Sequence, residues 1–240
     1  KPTQHSVAQL RTIGIQPDVV ICRSDVPLPL DIREKIALFA DVDARAVISN
    51  HDVQTIYEVP LVLEAEGLGE FIAERFGVED VEPDLDEWRE MVAVLHRPMP
   101  KLEIAIVGKY TELADSYLSV VESIRLAGIE QRIDPVIRWV NAESLEDRDP
   151  SDLLDGVAGI IVPGGFGPRG IEGKIQAANF ARINNIPYLG LCLGMQIAVI
   201  EFARKALRAD DCNSTEFDPD TKHPVVHPMP EYYDVANMGG

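Results

Sequence analysis

The stretch Tyr188-Leu189-Gly190-Leu191-Cys192-Leu193-Gly194-Met195-Gln196 decides the fold. An apolar strand, Tyr188–Leu191, runs straight into a cysteine. An almost wholly apolar helix follows, from Met195 to about Leu207. Glycines stand two residues before and two after the cysteine, where a side chain would crowd the turn. This is the layout of a nucleophile elbow, a sharp strand-to-helix turn that lifts one reactive side chain above a sheet. The positive end of the helix favours the thiolate that does chemistry. The commonest fate of a free cysteine is burial in a core. A core cysteine has no need of the two glycines, so Cys192 reads as a nucleophile. Cys22 and Cys212 lack that context and read as structural or incidental.

Outward from the elbow, strands alternate with helices. Strands are expected at Leu102–Val107, Pro135–Val140 and Gly159–Val162. Helices are expected at Asp115–Ala127, ended by Gly128, and at Ile171–Asn184. Such alternation implies a parallel sheet with helices on both faces. Ligands of such sheets bind at the carboxyl ends of the strands. Pro163-Gly164-Gly165-Phe166-Gly167 and Cys192 both fall there, and are expected to share one crevice. A cysteine that attacks a carbonyl generates an oxyanion, which needs fixed N–H donors. A glycine-rich loop brings backbone N–H groups close, and the N–H after the nucleophile, on Leu193, is the natural second donor. Taken alone, a Gly-Gly pair reads first as an ordinary tight turn, and the function follows from its companion cysteine.

Residues 1–77 read as part of an α/β unit. Short strands are expected at Asp18–Cys22 and Ala46–Ser49, with a helix between them capped by Asp31 and facing inward through Ile32, Ile36 and Phe39. Further helices are expected at Leu61–Glu66, stopping at Gly67, and at Glu70–Phe76, stopping at Gly77. Residues 78–100 read as an interdomain connector, with an anchoring helix Leu85–Leu95 that presents Trp88, Val92 and Leu95. Residues 101–240 form the second domain.

The 240 residues carry a formal net charge of -18. That argues against a nucleic-acid backbone or an anionic membrane surface as partner. No apolar run is long enough to span a bilayer. Three cysteines without metal-ligand spacing argue against a disulfide framework or a zinc site, and point to the reducing cytoplasm. The ends, Lys1-Pro2-Thr3 and Gly239-Gly240, read like cuts from a longer protein.

The chain resembles the class I glutamine amidotransferases, and within them the CTP synthase family. Gly190–Gln196 and Pro163–Gly167 match that family's nucleophile and oxyanion loops. Arg169-Gly170-Ile171-Glu172-Gly173-Lys174 matches its lid. Asn213-Ser214-Thr215-Glu216-Phe217 and Val107-Gly108-Lys109-Tyr110 follow its wording, as do Lys1–Val7, Gly14–Asp18, Cys22–Asp25 and Lys35–Phe39 in the first unit. The resemblance implies the end of a P-loop-like α/β synthetase domain followed by a flavodoxin-like amidotransferase domain.

It also implies the chemistry. Enzymes of the family make CTP from UTP, ATP and glutamine, with Mg²⁺. The resemblance gives Cys192 the attack on glutamine, and Gly165 and Leu193 the oxyanion donors. It gives Phe166, Gln196 and Glu216 the hold on glutamine. Glu216 supplies the carboxylate that an α-ammonium needs, although by itself it reads as a solvated surface charge. Arg169, Gly170 and Glu172 become a lid linked to activation by GTP. Lys1, Gln4 and Lys35 match the UTP and CTP site, where lysines suit phosphate. Val26 stands where much of the family has arginine. A homo-oligomer, a tetramer, is implied.

The family's histidine and glutamate partners of the cysteine, its Gly-rich ATP loop and its Mg²⁺ carboxylates are expected outside these residues. His223 and His227 match a non-catalytic segment. The 240 residues are therefore expected to show no synthetase activity and little or no glutaminase turnover. A non-catalytic regulatory or assembly piece is the competing reading. A different cysteine hydrolase on the same sheet is a third, and it leaves Asn213–Phe217 and the first unit unexplained.

Overall fold

In the computed structural model, residues 2–78 and 83–228 are described. They fall into two compact units, residues 1–98 and 99–240.

In the first unit, β1 (Val20–Ser24) and β2 (Val47–His51) pair in parallel, with Val20 opposite Val47. Parallel pairing needs a crossover, supplied by helix α2 (Leu30–Ala40). Helix α1 (Pro2–Thr12), which the sequence reading did not anticipate, packs with α2. Val7 joins Val20, Cys22, Ala37, Ala40 and Val47 in one core. Two expectations for α2 are corrected. Its cap position is Pro29, with no side-chain cap bond, and Asp31 lies in the first turn. Its inward residues are Ile36, Ala37 and Ala40, whereas Phe39 is exposed.

Helices α3 (Val59–Ala65) and α4 (Leu68–Phe76) follow, with Gly67 and Gly77 both left-handed. These are the glycine stops that the sequence marks. Helix α5 (Asp86–Leu95) is tied to the first unit. Trp88 Nε1 donates to the Tyr57 carbonyl at 2.7 Å, and His96 lies 3.3 Å from Glu58.

The second unit is built on four parallel strands, in the order β4-β3-β5-β6. They are β3 (Lys101–Gly108), β4 (Asp134–Asn141), β5 (Gly159–Val162) and β6 (Tyr188–Gly190). Side chains alternate between faces along a strand. Ala105, Val107, Ile160 and Val162 face helix α8 (Ile171–Ile183), where Ala177, Phe180 and Ala181 complete a core. Ile104, Ile161 and Leu189 line a groove with Val120 and Ile124 of α6 (Leu118–Gln131) on the other face. The expected α/β class, with wholly parallel pairing and helices on both faces, holds.

Helix α7 (Pro150–Leu154) is capped by Asp149 and precedes β5. Helix α9 (Leu193–Leu207) packs on α8 through Leu193, Ile197 and Ile200, which meet Ile171, Ile175 and Ala178. Helix α6 is not stopped by Gly128. It runs three residues further, to a left-handed Arg132, and Gly128 lies within it because a Cβ there would come within 2.7 Å of Pro135. Two short strands missed in the sequence, β7 (Cys212–Ser214) and β8 (His223–Val226), pair in parallel beside α9. No helix among the described residues is long and apolar enough to cross a membrane.

Candidate active site

Cys192 stands between β6 and α9 with φ 53° and ψ -109°. Side chains rarely adopt positive φ, and such strain persists only where the surroundings over-determine it. The surroundings here are backbone. A Cβ on Gly194 would lie 1.9 Å from the Val162 carbonyl oxygen, and one on Gly190 would lie 2.3 Å from Gly194. Both glycines are required by contact, as the sequence implies. The Leu191 N–H donates to the Val162 carbonyl at 2.9 Å, continuing the sheet up to the turn. Tyr188 Oη donates to the Gly194 carbonyl at 2.8 Å, from the strand to the far side of the bend. Burial pushes the Tyr188 phenol well above its ordinary range, so it stays a neutral donor. Its role is a tertiary one that a strand tyrosine does not announce in sequence.

The Cys192 thiol is exposed, while Cys22 and Cys212 are buried. Burial pushes the Cys22 thiol up, with Arg33 acting the other way. The glycine loop comes to Cys192 through Gly164. A Cβ on Gly164 would lie 3.3 Å from Cys192 Cβ and 3.9 Å from its Sγ. The Pro163–Gly167 run thus lies beside Cys192 as expected, with Gly164 as a residue of contact. Gly165 faces two lysines, with Lys109 Nζ and Lys174 Nζ each 4.0 Å from where its Cβ would be. Lys109 Nζ donates to the Phe166 carbonyl, holding that peptide to one side. The Leu193 N–H opens α9, where the first helical donors have no partner within the helix.

Phe166, within the loop, is 74% exposed. Gln196 lies in the first turn of α9, its N–H 3.4 Å from the Cys192 carbonyl. Glu216 is exposed after β7, and its neighbour Phe217 packs against the α8–α9 core. Arg169 pairs with Glu143 at 2.9 Å and lies 5.6 Å over the Tyr110 ring. Gly170 is left-handed and precedes α8, and a Cβ there would lie 3.0 Å from Ala142 Cβ. Glu172 holds Arg204 at 2.7 Å. In the first unit, Gln4 lies on α1, and Lys35 is an exposed residue of α2 paired with Asp31 at 3.6 Å. Lys1 lies outside the described residues. Among the described residues no three His, Cys, Asp or Glu side chains converge as a metal would need.

Residues 112–233 match the family model for glutamine amidotransferase class-I. The chain belongs to the class-I glutamine amidotransferase family. Residues 1–78 match a second model, the CTP synthase N-terminus. The whole chain is 58% identical to the CTP synthase of Chloroflexus aggregans and 53% identical to that of a Synechococcus strain. It spans 44% of the length of each of these relatives. A solved structure, the glutaminase domain of Trypanosoma brucei CTPS with bound acivicin, superimposes with a TM-score of 0.53 at 41% identity. The match covers 57% of this chain and 54% of that one. The resemblance read from the motifs is borne out over the full sequence, and the amidotransferase unit carries the elbow.

Proposed function

We propose that this chain is part of a CTP synthase, and that Cys192 hydrolyses glutamine to supply ammonia for amination of UTP. Residues 1–77 are the end of the synthetase domain, 78–100 the connector and 101–240 the glutaminase domain. The observation that carries this reading is the exposed thiol at φ 53°, with Gly164 against it. The thiolate attacks the side-chain amide carbon, and the carbonyl electrons move onto oxygen. The N–H groups of Gly165 and Leu193 hold that oxyanion. Collapse breaks the C–N bond, ammonia leaves with a proton, and a thioester remains. Water then releases glutamate and restores the thiol. Phe166, Gln196 and Glu216 hold the substrate, and Glu216 pairs with the α-ammonium.

The finer parts of the reading follow the family resemblance of the motifs. ATP with Mg²⁺, held by residues expected outside these 240, would supply the phosphoryl group that activates UTP. GTP acts through Arg169, Gly170 and Glu172, and Lys1, Gln4 and Lys35 serve the UTP and CTP triphosphate. The enzyme works as a cytoplasmic tetramer. His223 is hydrogen-bonded to Asp211 and His227 to Thr215. Neither is assigned as the base, and residues 1–240 on their own are expected to turn over little glutamine.

Alkylation separates a competent elbow from a merely accessible thiol. Acivicin is expected to label Cys192 with saturating kinetics, and glutamine to slow it, while iodoacetamide shows neither effect. Linear acivicin kinetics without glutamine protection would favour the assembly reading instead.

A further inference from the structure

Lys174 is the largest fully buried side chain of the described residues, with no exposure. Its Nζ has no hydrogen-bond partner. It stands in the first turn of α8, with its Nζ 4.0 Å from where a Cβ on Gly165 would be. Lys109 is also buried, 8% exposed, and approaches the same point. Among the described residues no carboxylate forms an ion pair with either ammonium. Burial first, and the charge of Lys109 second, together lower the Lys174 ammonium to about 8.

An unpaired ammonium in a protein interior is costly, and a methionine of similar length would fill the same volume without that penalty. The position of the charge is what a methionine would lack. Both ammoniums converge on Gly165, the residue after the one that touches Cys192. The Lys109 head is engaged with the Phe166 carbonyl, and the Lys174 head is uncommitted. A positive charge that is itself held out of water favours negative charge developing close to it.

We propose that Lys174 is a positioning residue of the glutaminase reaction, an ammonium seated under Gly165 that stabilises the oxyanion formed when Cys192 attacks. It touches neither glutamine nor the sulfur, and it acts through the loop. This rests on the thiol chemistry proposed above.

The test uses the full-length protein, measuring glutamate release, KM and the thermal midpoint for K174M, K174R and C192A. K174M is expected to lose about tenfold in kcat, with KM within about twofold and an equal or higher thermal midpoint. K174R keeps the charge and is expected to stay within about threefold of the parent. Unchanged kcat in K174M, with C192A inactive, would overturn the inference and leave the thiol reading standing. A C192A protein that still releases glutamate would overturn both. Should K174M fail to fold, K174R decides. A tenfold fall in its kcat at an unchanged midpoint would show that charge is not what the site needs.

Discussion

At the residue scale, the site concentrates conformational strain in Cys192. A non-glycine residue at φ 53° and ψ -109° costs of order 1–3 kcal/mol. Glycine accepts that geometry but loses about 0.5–1 kcal/mol more backbone entropy on folding than alanine does. The strain is the larger quantity. C192G is therefore expected to be more stable than C192A by about 1 kcal/mol. Both variants lack the thiol, so urea denaturation of the pair isolates the backbone effect. Equal midpoints would mean that the bend is relaxed. The same logic explains why the elbow was legible in sequence. Gly190, Cys192 and Gly194 are local, and their spacing states the steric need directly. Tyr188 and Lys174 act through contacts made only after folding, and nothing in their neighbours marks them.

At the scale of elements, α8 and α9 carry the loop and the elbow, so their mutual packing sets the distance between the two. Apolar packing does most of this, through Ile171, Ile175, Leu193, Ile197 and Ile200. Across it runs a forked ion pair, with Arg182 Nε 3.0 Å from both Glu201 oxygens and Nη2 2.8 Å from one. The Glu201 side chain is only 7% exposed, against 32% for Arg182. The arrangement holds the Arg182 guanidinium above its ordinary range. R182M strands a buried carboxylate and is expected to cost about 1–3 kcal/mol, discounted for the exposed side of the arginine. R182M/E201M is expected to recover most of that loss, because two apolar side chains leave no charge unpaired. Chemical denaturation of both singles and the double gives the coupling, and a double variant no better than R182M would show that the carboxylate is solvated.

The long apolar helices and buried strands were readable from periodicity. Helix α1 was not, because Val7 is its one buried residue and no apolar stripe runs along it. Strands β7 and β8 were not, because they span three and four residues and β8 contains Pro224. A proline demotes a run from strand, and the pairing of Cys212 with His223 is a tertiary event.

For the whole molecule, net charge opposes compaction. Residues 1–98 hold 9 Lys and Arg against 19 Asp and Glu, and residues 99–240 hold 13 against 21. Each unit is acidic in itself, so each carries self-repulsion however the two are arranged. Salt acts on this in two directions. It screens repulsion among carboxylates, which stabilises the folded chain. It also weakens ion pairs such as Arg45–Glu74 and Arg75–Asp18. Those pairs are more than half exposed, and exposed pairs are worth about 0–1 kcal/mol each. Repulsion from a formal charge of -18 is spread over the whole surface, at spacings that salt screens effectively. The screening length falls from about 30 Å at 0.01 M to about 10 Å at 0.1 M. Repulsion is therefore the term that salt relieves most. The thermal midpoint is expected to rise by a few degrees when sodium chloride is raised from about 0.01 M to about 0.2 M, followed by circular dichroism. A midpoint that falls over this range would mean that the exposed ion pairs outweigh the excess of acid.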